Sequence, residues 1–377
     1  MAKENPLIEL KRAGQSFWYD NISREFISSG KLKEMIDNDG LLGITSNPSI
    51  FYKSIKNGKE YDKHMAELFK MPGVTPKDVF YGLEIKDIVD AASVLYPVYE
   101  QSKGLDGYVS IEVDPNYASD TQTTISEALD LFKRINKPNI MIKVPATKEG
   151  VEAVRELTAQ GVNVNVTLLF SVKRYEDAAI AYIEGLEESV KRGNSIVNTA
   201  SVASFFISRI DTAIDKIFDA RINATTNPDE QKWIESLKGK AAVAYAKSAY
   251  QSMVALFSTE RFLALKPRGA RIQRLLWAST STKNPAYSDC LYVDSLIGPQ
   301  TVNTMPHETV IAFKDHGKVQ RTVDKELDEA SAVLDDMSDL NINLDVVTNA
   351  LEEDGVRLFV EAFNSILELI EDKKSVL

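Results

Sequence analysis

One cysteine, three histidines and a shortage of basic residues already narrow what this 377-residue chain can be. The single thiol, Cys290, cannot close an internal disulfide or begin a zinc site built on two thiols, which fits a reducing compartment. His64, His307 and His316 do not form an H-E-x-x-H pair, because His307 precedes Glu308 without a second histidine four residues after the first. They read as surface or loop residues, and neither a metal nor a cofactor is expected. Neither G-x-G-x-x-G nor G-x-x-x-x-G-K-[ST] occurs, so the two common glycine-rich phosphate loops are missing. Lys plus Arg total 44 against 55 Asp plus Glu, giving a net charge of −11 spread along the chain. A nucleic-acid partner is therefore not expected, since that binding rests on a basic face. No apolar run approaches the roughly 20 residues of a membrane span, and the opening MAKENPLIELKRAG has no signal-peptide core. No membrane association and a cytoplasmic location are the expectation. No Pro/Gly/Ser-rich linker or internal repeat marks a boundary, so residues 1–377 read as one domain.

What is present is a globular composition, 44% hydrophobic and 26% charged. Eight short β-rich runs recur at 15–20, 40–45, 108–113, 139–144, 162–170, 196–203, 272–278 and 291–297. Longer segments of helical period separate them, such as 174–190 with apolar Ala178, Ile180, Tyr182, Ile183 and Leu186. Eight alternations predict a closed (β/α)8 TIM barrel, whereas an open doubly wound sheet needs fewer strands and usually a glycine-rich first turn. The segment from Asn227 to Gly269 and the tail from Val319 to Leu377 exceed what eight units require and read as additional helices.

In such barrels chemistry sits where strands end, and here nearly every strand end is polar. Asp20 ends the first run, Thr45-Ser46-Asn47-Pro48 follows the second, Glu112 lies in the third, Lys143 in the fourth, and Asn165 and Thr167 in the fifth. Ser204 and Arg209 are expected after the sixth run, and Ser279 and Lys283 after the seventh. Lys143 interrupts the apolar run IMIKVPA. Burial of an ammonium favours the neutral amine, the form a Schiff-base nucleophile needs. A lysine whose stem packs while its head reaches solvent or a carboxylate is the structural alternative, and strand position alone does not decide between them. The company of Asp20, Glu112, Asn165 and Thr167 favours chemistry, because an unpaired polar group in an apolar strand costs about 1 to 3 kcal/mol and five strands contribute one. The aromatic clusters 17–19 and 205–206 read first as packing.

These residues resemble those of transaldolases. GITSNPSIF at 43–51 is similar to the family's first signature, and IMIKVPATKEGVEAV at 140–154 to the second, built around the Schiff-base lysine. Further similar stretches are SFWYD at 16–20, VSIEV at 109–113, NVNVTLLF at 163–170, SFFISR at 204–209 and WASTSTKNP at 277–285. The resemblance implies transfer of a dihydroxyacetone unit from sedoheptulose 7-phosphate or fructose 6-phosphate to erythrose 4-phosphate or glyceraldehyde 3-phosphate. By the same resemblance Lys143 forms the imine, Asp20 takes the C4 hydroxyl proton, and Glu112 with Thr167 orients a relaying water. Thr45, Asn47 and Asn165 would hold substrate hydroxyls. Ser204, Phe206, Arg209, Ser279 and Lys283 would complete the substrate pocket, and the protein would be a monomer or a homodimer.

One departure concerns the phosphate. Short transaldolases carry Ser-x-Arg after the seventh strand, whereas here Ser279 is followed by Thr280-Ser281-Thr282-Lys283. Lysine still attracts phosphate but does not offer arginine's bidentate fork. The chain thus resembles the longer branch of the family. The competing readings are an aldolase of the same superfamily that releases dihydroxyacetone, and a non-catalytic barrel used for binding. Glu112 and Phe206, where the releasing relatives tend to carry Gln and Tyr, lean toward transfer, and retention of Lys143 and Asp20 argues against a scaffold.

Overall fold

The computed structural model describes residues 5–375 and 377. Eight parallel strands close into a barrel in chain order: β1 Gln15–Asp20, β2 Gly43–Thr45, β3 Tyr108–Glu112, β4 Ile140–Pro145, β5 Val164–Leu169, β6 Ser201–Phe206, β7 Arg274–Ala278 and β8 Thr301–Met305. β1 pairs with both β2 and β8, so the expected (β/α)8 barrel is present without a free edge. Seven of the eight predicted runs overlap their strands. The second is shorter than expected because Gly40, at φ +70°, ends the helix Lys31–Asp39 before the strand begins.

The eighth run is not a strand. Residues 291–297 form the short helix Leu291–Ser295 and its exit rather than a strand. The apolar character of Val293, Leu296 and Ile297 serves burial in a corner between barrel strands. Gln15 Nε2 and Trp277 Nε1 both donate to the Leu296 carbonyl, at 2.8 and 2.9 Å, and hold that corner against β1 and β7. The true last strand, TVNTM, is polar in text yet wholly buried. The sixth run also moves. Residues 196–199 form a turn closed by Thr199 N donating to Ile196 O, and pairing with β5 begins only at Ser201. Ser204 consequently lies inside β6 rather than after it.

The barrel floor is fixed by an ion pair. Arg274 on β7 meets Asp106 at 3.0 Å, and Asp106 also accepts from Ser16 Oγ and Trp18 Nε1 on β1. Gly43 is required here, because a Cβ would lie 2.5 Å from the Trp18 ring. At the opposite end, side-chain caps start the helices that leave the strands: Asn47 for Pro48–Asn57, Thr147 for Lys148–Ala159 and Ser171 for Val172–Lys191. The chain therefore turns sharply at the carboxyl ends of β2, β4 and β5.

Both regions assigned to additional helices are helical. Pro228–Leu237, Ala241–Leu256 and Glu260–Leu263 occupy the first, and Leu327–Asp339 and Leu344–Lys374 the second. Ala241–Leu256 packs against Val172–Lys191 and Leu327–Asp339 on the outside of the barrel. The last helix, 31 residues long, contacts β5 and the helix Pro76–Gln101. It is anchored by Glu352 to Arg174 at 3.2 Å and by Lys373 to Asp62 at 2.8 Å. Among the described residues no helix is long and apolar enough to cross a membrane.

Candidate active site

Strand register gathers the predicted residues. Glu112 on β3 pairs in register with Lys143 on β4, and Lys143 with Asn165 on β5. In-register residues of parallel strands point to the same side, so a carboxylate, an amine and an amide lie abreast. Lys143 and Glu112 are each 5% exposed, with Nζ 3.7 Å from Glu112 Oε2. Lys143 Nζ donates to the Ser46 carbonyl at 2.9 Å. The ammonium is held by a backbone oxygen and a carboxylate, and its head does not reach solvent.

The polar contacts continue around the mouth. Ser46 Oγ donates to Ser110 O at 2.8 Å, Asn165 Nδ2 to Ser110 Oγ at 3.0 Å, and Ser204 Oγ to Asn165 Oδ1 at 2.7 Å. These bonds link the end of β2 to β3, β5 and β6. On the other flank Thr45 Oγ1 donates to Asp20 Oδ1 at 2.7 Å and lies 2.6 Å from Thr304 Oγ1 on β8. Asn47 is half-buried, and its Oδ1 accepts the cap bond from Ile50 N. That cap leaves the Asn47 NH2 group as its available donor. Asn47 and Asp20 line a cavity of about 540 Å³ that opens beside Pro306 and His307.

The electrostatics separate the carboxyls. Burial pushes the Glu112 carboxyl up to about 7, with Lys143 drawing it back down and Asp20 adding to the rise. Asp20 is also raised by burial, opposed by the Lys143 charge and by the Thr45 hydroxyl bond. Several buried polar atoms have no hydrogen-bond partner within the protein: both Glu112 carboxyl oxygens, Thr167 Oγ1 and Arg209 Nη1. Glu112 and Thr167 belong to β3 and β5 and Arg209 follows β6, so these unpaired groups come from two strands and the helix after a third.

Arg209 is half-buried with its guanidinium carbon 5.6 Å from the Phe206 ring centroid. Burial works against its charge, and Asp354 on the last helix supports it. Phe206 packs on Phe170 at 5.2 Å, whereas Phe205, the preceding residue, packs onto Trp277 and Tyr245. Phe206 is thus the phenylalanine beside the site. Ser279 stands at the end of β7 at φ +55°, its Oγ 2.8 Å from Ser208 Oγ. Lys283 is exposed on the following loop and donates to Ser281 Oγ at 2.6 Å, so it is not drawn into the polar cluster around Lys143.

Sequence reasoning missed several neighbours. Ser110 is an unremarkable serine in an apolar strand, and Thr304 belongs to β8, whose polar text TVNTM gives no strand signal. Glu84, on Pro76–Gln101, is only 3% exposed, and burial with the Glu112 and Asp87 charges pushes its carboxyl well up. Glutamates in long helices read as surface, so nothing in the text signalled it. Phe359, 219 residues after the middle strand that it covers begins, has its ring centroid 5.9 Å from Lys143 Nζ. Asp289, Cys290 and His316 come within 4.8 Å of one another at a separate loop, where burial and the neighbouring acids push the Cys290 thiol up to about 12.

Known proteins are similar to this chain over nearly its whole length. Residues 17–370 match the family model described as transaldolase/fructose-6-phosphate aldolase. The chain is 47% identical over 371 residues to a protein named transaldolase from Trichodesmium erythraeum, covering 98% of this chain and 97% of that one. It is 46% identical over 376 residues to transaldolase 2 of a Nostoc species, at 99% and 98% coverage. A Mycobacterium tuberculosis protein named transaldolase is 44% identical over 371 residues, at 98% and 97%. By fold, site and full-length similarity, this chain belongs to the transaldolase/fructose-6-phosphate aldolase family.

Proposed function

We propose that this chain is a transaldolase of the pentose phosphate pathway, with Lys143 as the amine that carries the three-carbon unit. The donor is a ketose phosphate, sedoheptulose 7-phosphate or fructose 6-phosphate, and the acceptor an aldose phosphate, glyceraldehyde 3-phosphate or erythrose 4-phosphate. The observation that carries this reading is the buried row Glu112, Lys143 and Asn165 in register, with Asp20 held by Thr45 across from it.

In this reading the Lys143 amine adds to the donor's C2 carbonyl and water leaves, giving an iminium. The Asp20 carboxylate takes the C4 hydroxyl proton as the C3–C4 bond breaks, and that bond's electrons flow to the iminium nitrogen. The aldose phosphate departs, leaving a neutral enamine. Attack of its C3 on an acceptor aldehyde, with the proton returned from Asp20, restores an iminium that water hydrolyses to the product ketose. Glu112, poised near neutrality, suits a proton carrier for addition and hydrolysis, and the unpaired Thr167 hydroxyl suits the water that works with it. Asn165 and the Asn47 NH2 group supply donors toward the three-carbon unit, and Ser204 holds Asn165. Arg209, with Ser279 at the adjoining strand end, would receive the phosphate. Lys283 contributes only long-range charge in its present position. The iminium serves as the electron sink, so the reading assigns no metal or organic cofactor.

The same reading takes residues 1–377 as one catalytic domain in the cytoplasm, supported by the last helix packing back over the barrel. Borohydride reduction in the presence of fructose 6-phosphate, followed by peptide mapping, tests it. A reduced three-carbon adduct on Lys143 is expected, and adduct on another lysine overturns the assignment. Lys143→Arg should abolish both adduct and transfer while leaving the fold intact, because guanidinium stays protonated.

A further inference from the structure

The last helix, Leu344–Lys374, brings one face against the barrel mouth. Gly355, Phe359 and Phe363 fall at four-residue spacing and so share that face. At Gly355 the helix backbone lies close to the end of β5: a Cβ there would sit 3.2 Å from Leu168 Cδ2 and 3.3 Å from Phe170 Cε2. Leu168 itself adopts φ +59°, a left-handed conformation costly for a side-chain-bearing residue, beside a register shift between β5 and β6. One turn past Phe359, the Phe363 ring meets Phe80 edge-on, with centroids 5.4 Å apart. Between these contacts the Phe359 ring is 7% exposed, with its centroid 5.9 Å from Lys143 Nζ. A helix from the far end of the chain thus brings an aromatic ring to the buried Lys143 amine.

We infer that Phe359 is a specificity-determining residue for transfer against release, its ring keeping water-borne protons from the three-carbon unit on Lys143. This rests on the assignment of Lys143 as the imine-forming amine. The enamine is lost to release in two steps. A proton reaches C3 to regenerate an iminium, and water then adds at C2, the C–N bond breaks and dihydroxyacetone departs. Only the first step is peculiar to release, since transfer ends in the same hydrolysis at C2, and that step needs water or a water-borne proton near C3. Glu112 and Thr167 offer free hydrogen-bonding atoms to hold such a water, so only the apolar cover opposes extra solvent there. Transfer survives because an aldehyde approaches from the Asp20 side, where the cavity opens.

The experiment measures dihydroxyacetone formed from fructose 6-phosphate without acceptor, and transfer with erythrose 4-phosphate, in the parent, Phe359→Ala, Phe359→Leu, Phe359→Met and Gly355→Val. Removing the ring should raise the ratio of release to transfer by about tenfold in Phe359→Ala, with Phe359→Leu intermediate and Phe359→Met, which restores bulk, near the parent. Gly355→Val should act like Phe359→Leu, because its side chain pushes the helix off Leu168 without touching the amine. Loss of both rates in proportion, with the ratio unchanged in Phe359→Leu and Gly355→Val, overturns the inference and leaves Phe359 a packing residue. Should Phe359→Ala fail to fold, those two variants decide. Borohydride mapping on the parent separates the underlying reading: adduct on Lys143 with an unchanged ratio refutes only the role of Phe359, whereas adduct elsewhere refutes the assignment of Lys143.

Discussion

Glu112→Gln isolates a single proton in the site. Burial raises this carboxyl from an ordinary 4.5 to about 7. One pKa unit corresponds to about 1.4 kcal/mol, so the fold disfavours the ionised form by about 3 kcal/mol relative to the unfolded chain. The value is raised in the folded state, so the associated stability is fully present below pH 4.5 and is lost as pH rises to about 7. Glutamine has the shape of the protonated acid and does not titrate. The variant's stability relative to the parent should therefore improve by about 2 to 3 kcal/mol between pH 5 and pH 8, read by equilibrium urea unfolding at both values. Activity should move the other way. Without the proton carrier, turnover should fall about a hundredfold or more, and the limb of the kcat/KM profile near pH 7 should vanish. A stability difference that stays constant with pH, or a limb near pH 7 that persists in the variant, would refute the assignment of that ionisation to Glu112.

Three other outcomes are expected. Phe206→Tyr should raise dihydroxyacetone release by placing a phenol beside the site, whereas Phe205→Tyr should leave the ratio alone and cost about 1 to 3 kcal/mol of stability, because its hydroxyl would be buried among Trp277 and Tyr245; equal release by the two variants would defeat this. Arg209→Ala should raise KM for phosphorylated donors at least about tenfold with a smaller effect on kcat, since a charged hydrogen bond to phosphate is worth about 1.5 to 3 kcal/mol, and an unchanged KM in steady-state assays would remove it from phosphate binding. Prolonged chelator treatment should leave the rate unchanged; inactivation reversed by zinc would require a metal-dependent mechanism.

The sequence alone determined the barrel and the polar residues interrupting its strands, because both are written in local pattern. Strands buried on both faces must be apolar and β-branched, so Lys143, Glu112 and Asn165 stood out against their neighbours. Burial of these residues then followed from the strand they interrupt. What sequence could not decide was any choice made by burial from outside the segment itself. LYVDSLI has strand composition yet folds as a helix and corner, held by the side chains of Gln15 and Trp277, while the polar TVNTM becomes the closing strand because β1 and β7 satisfy its backbone. The same limit hid Thr304 behind Asp20 and Thr45. Phe205 and Phe206 were indistinguishable in the text, and the pleat of β6 turned one toward Trp277 and the other toward Arg209. Lys283 occupies the position the motif suggests, but the longer loop carries it to the surface beside Ser281. Phe359 reaches Lys143 only because Gly355 lets a distant helix lie against Leu168, a contact that no local pattern encodes.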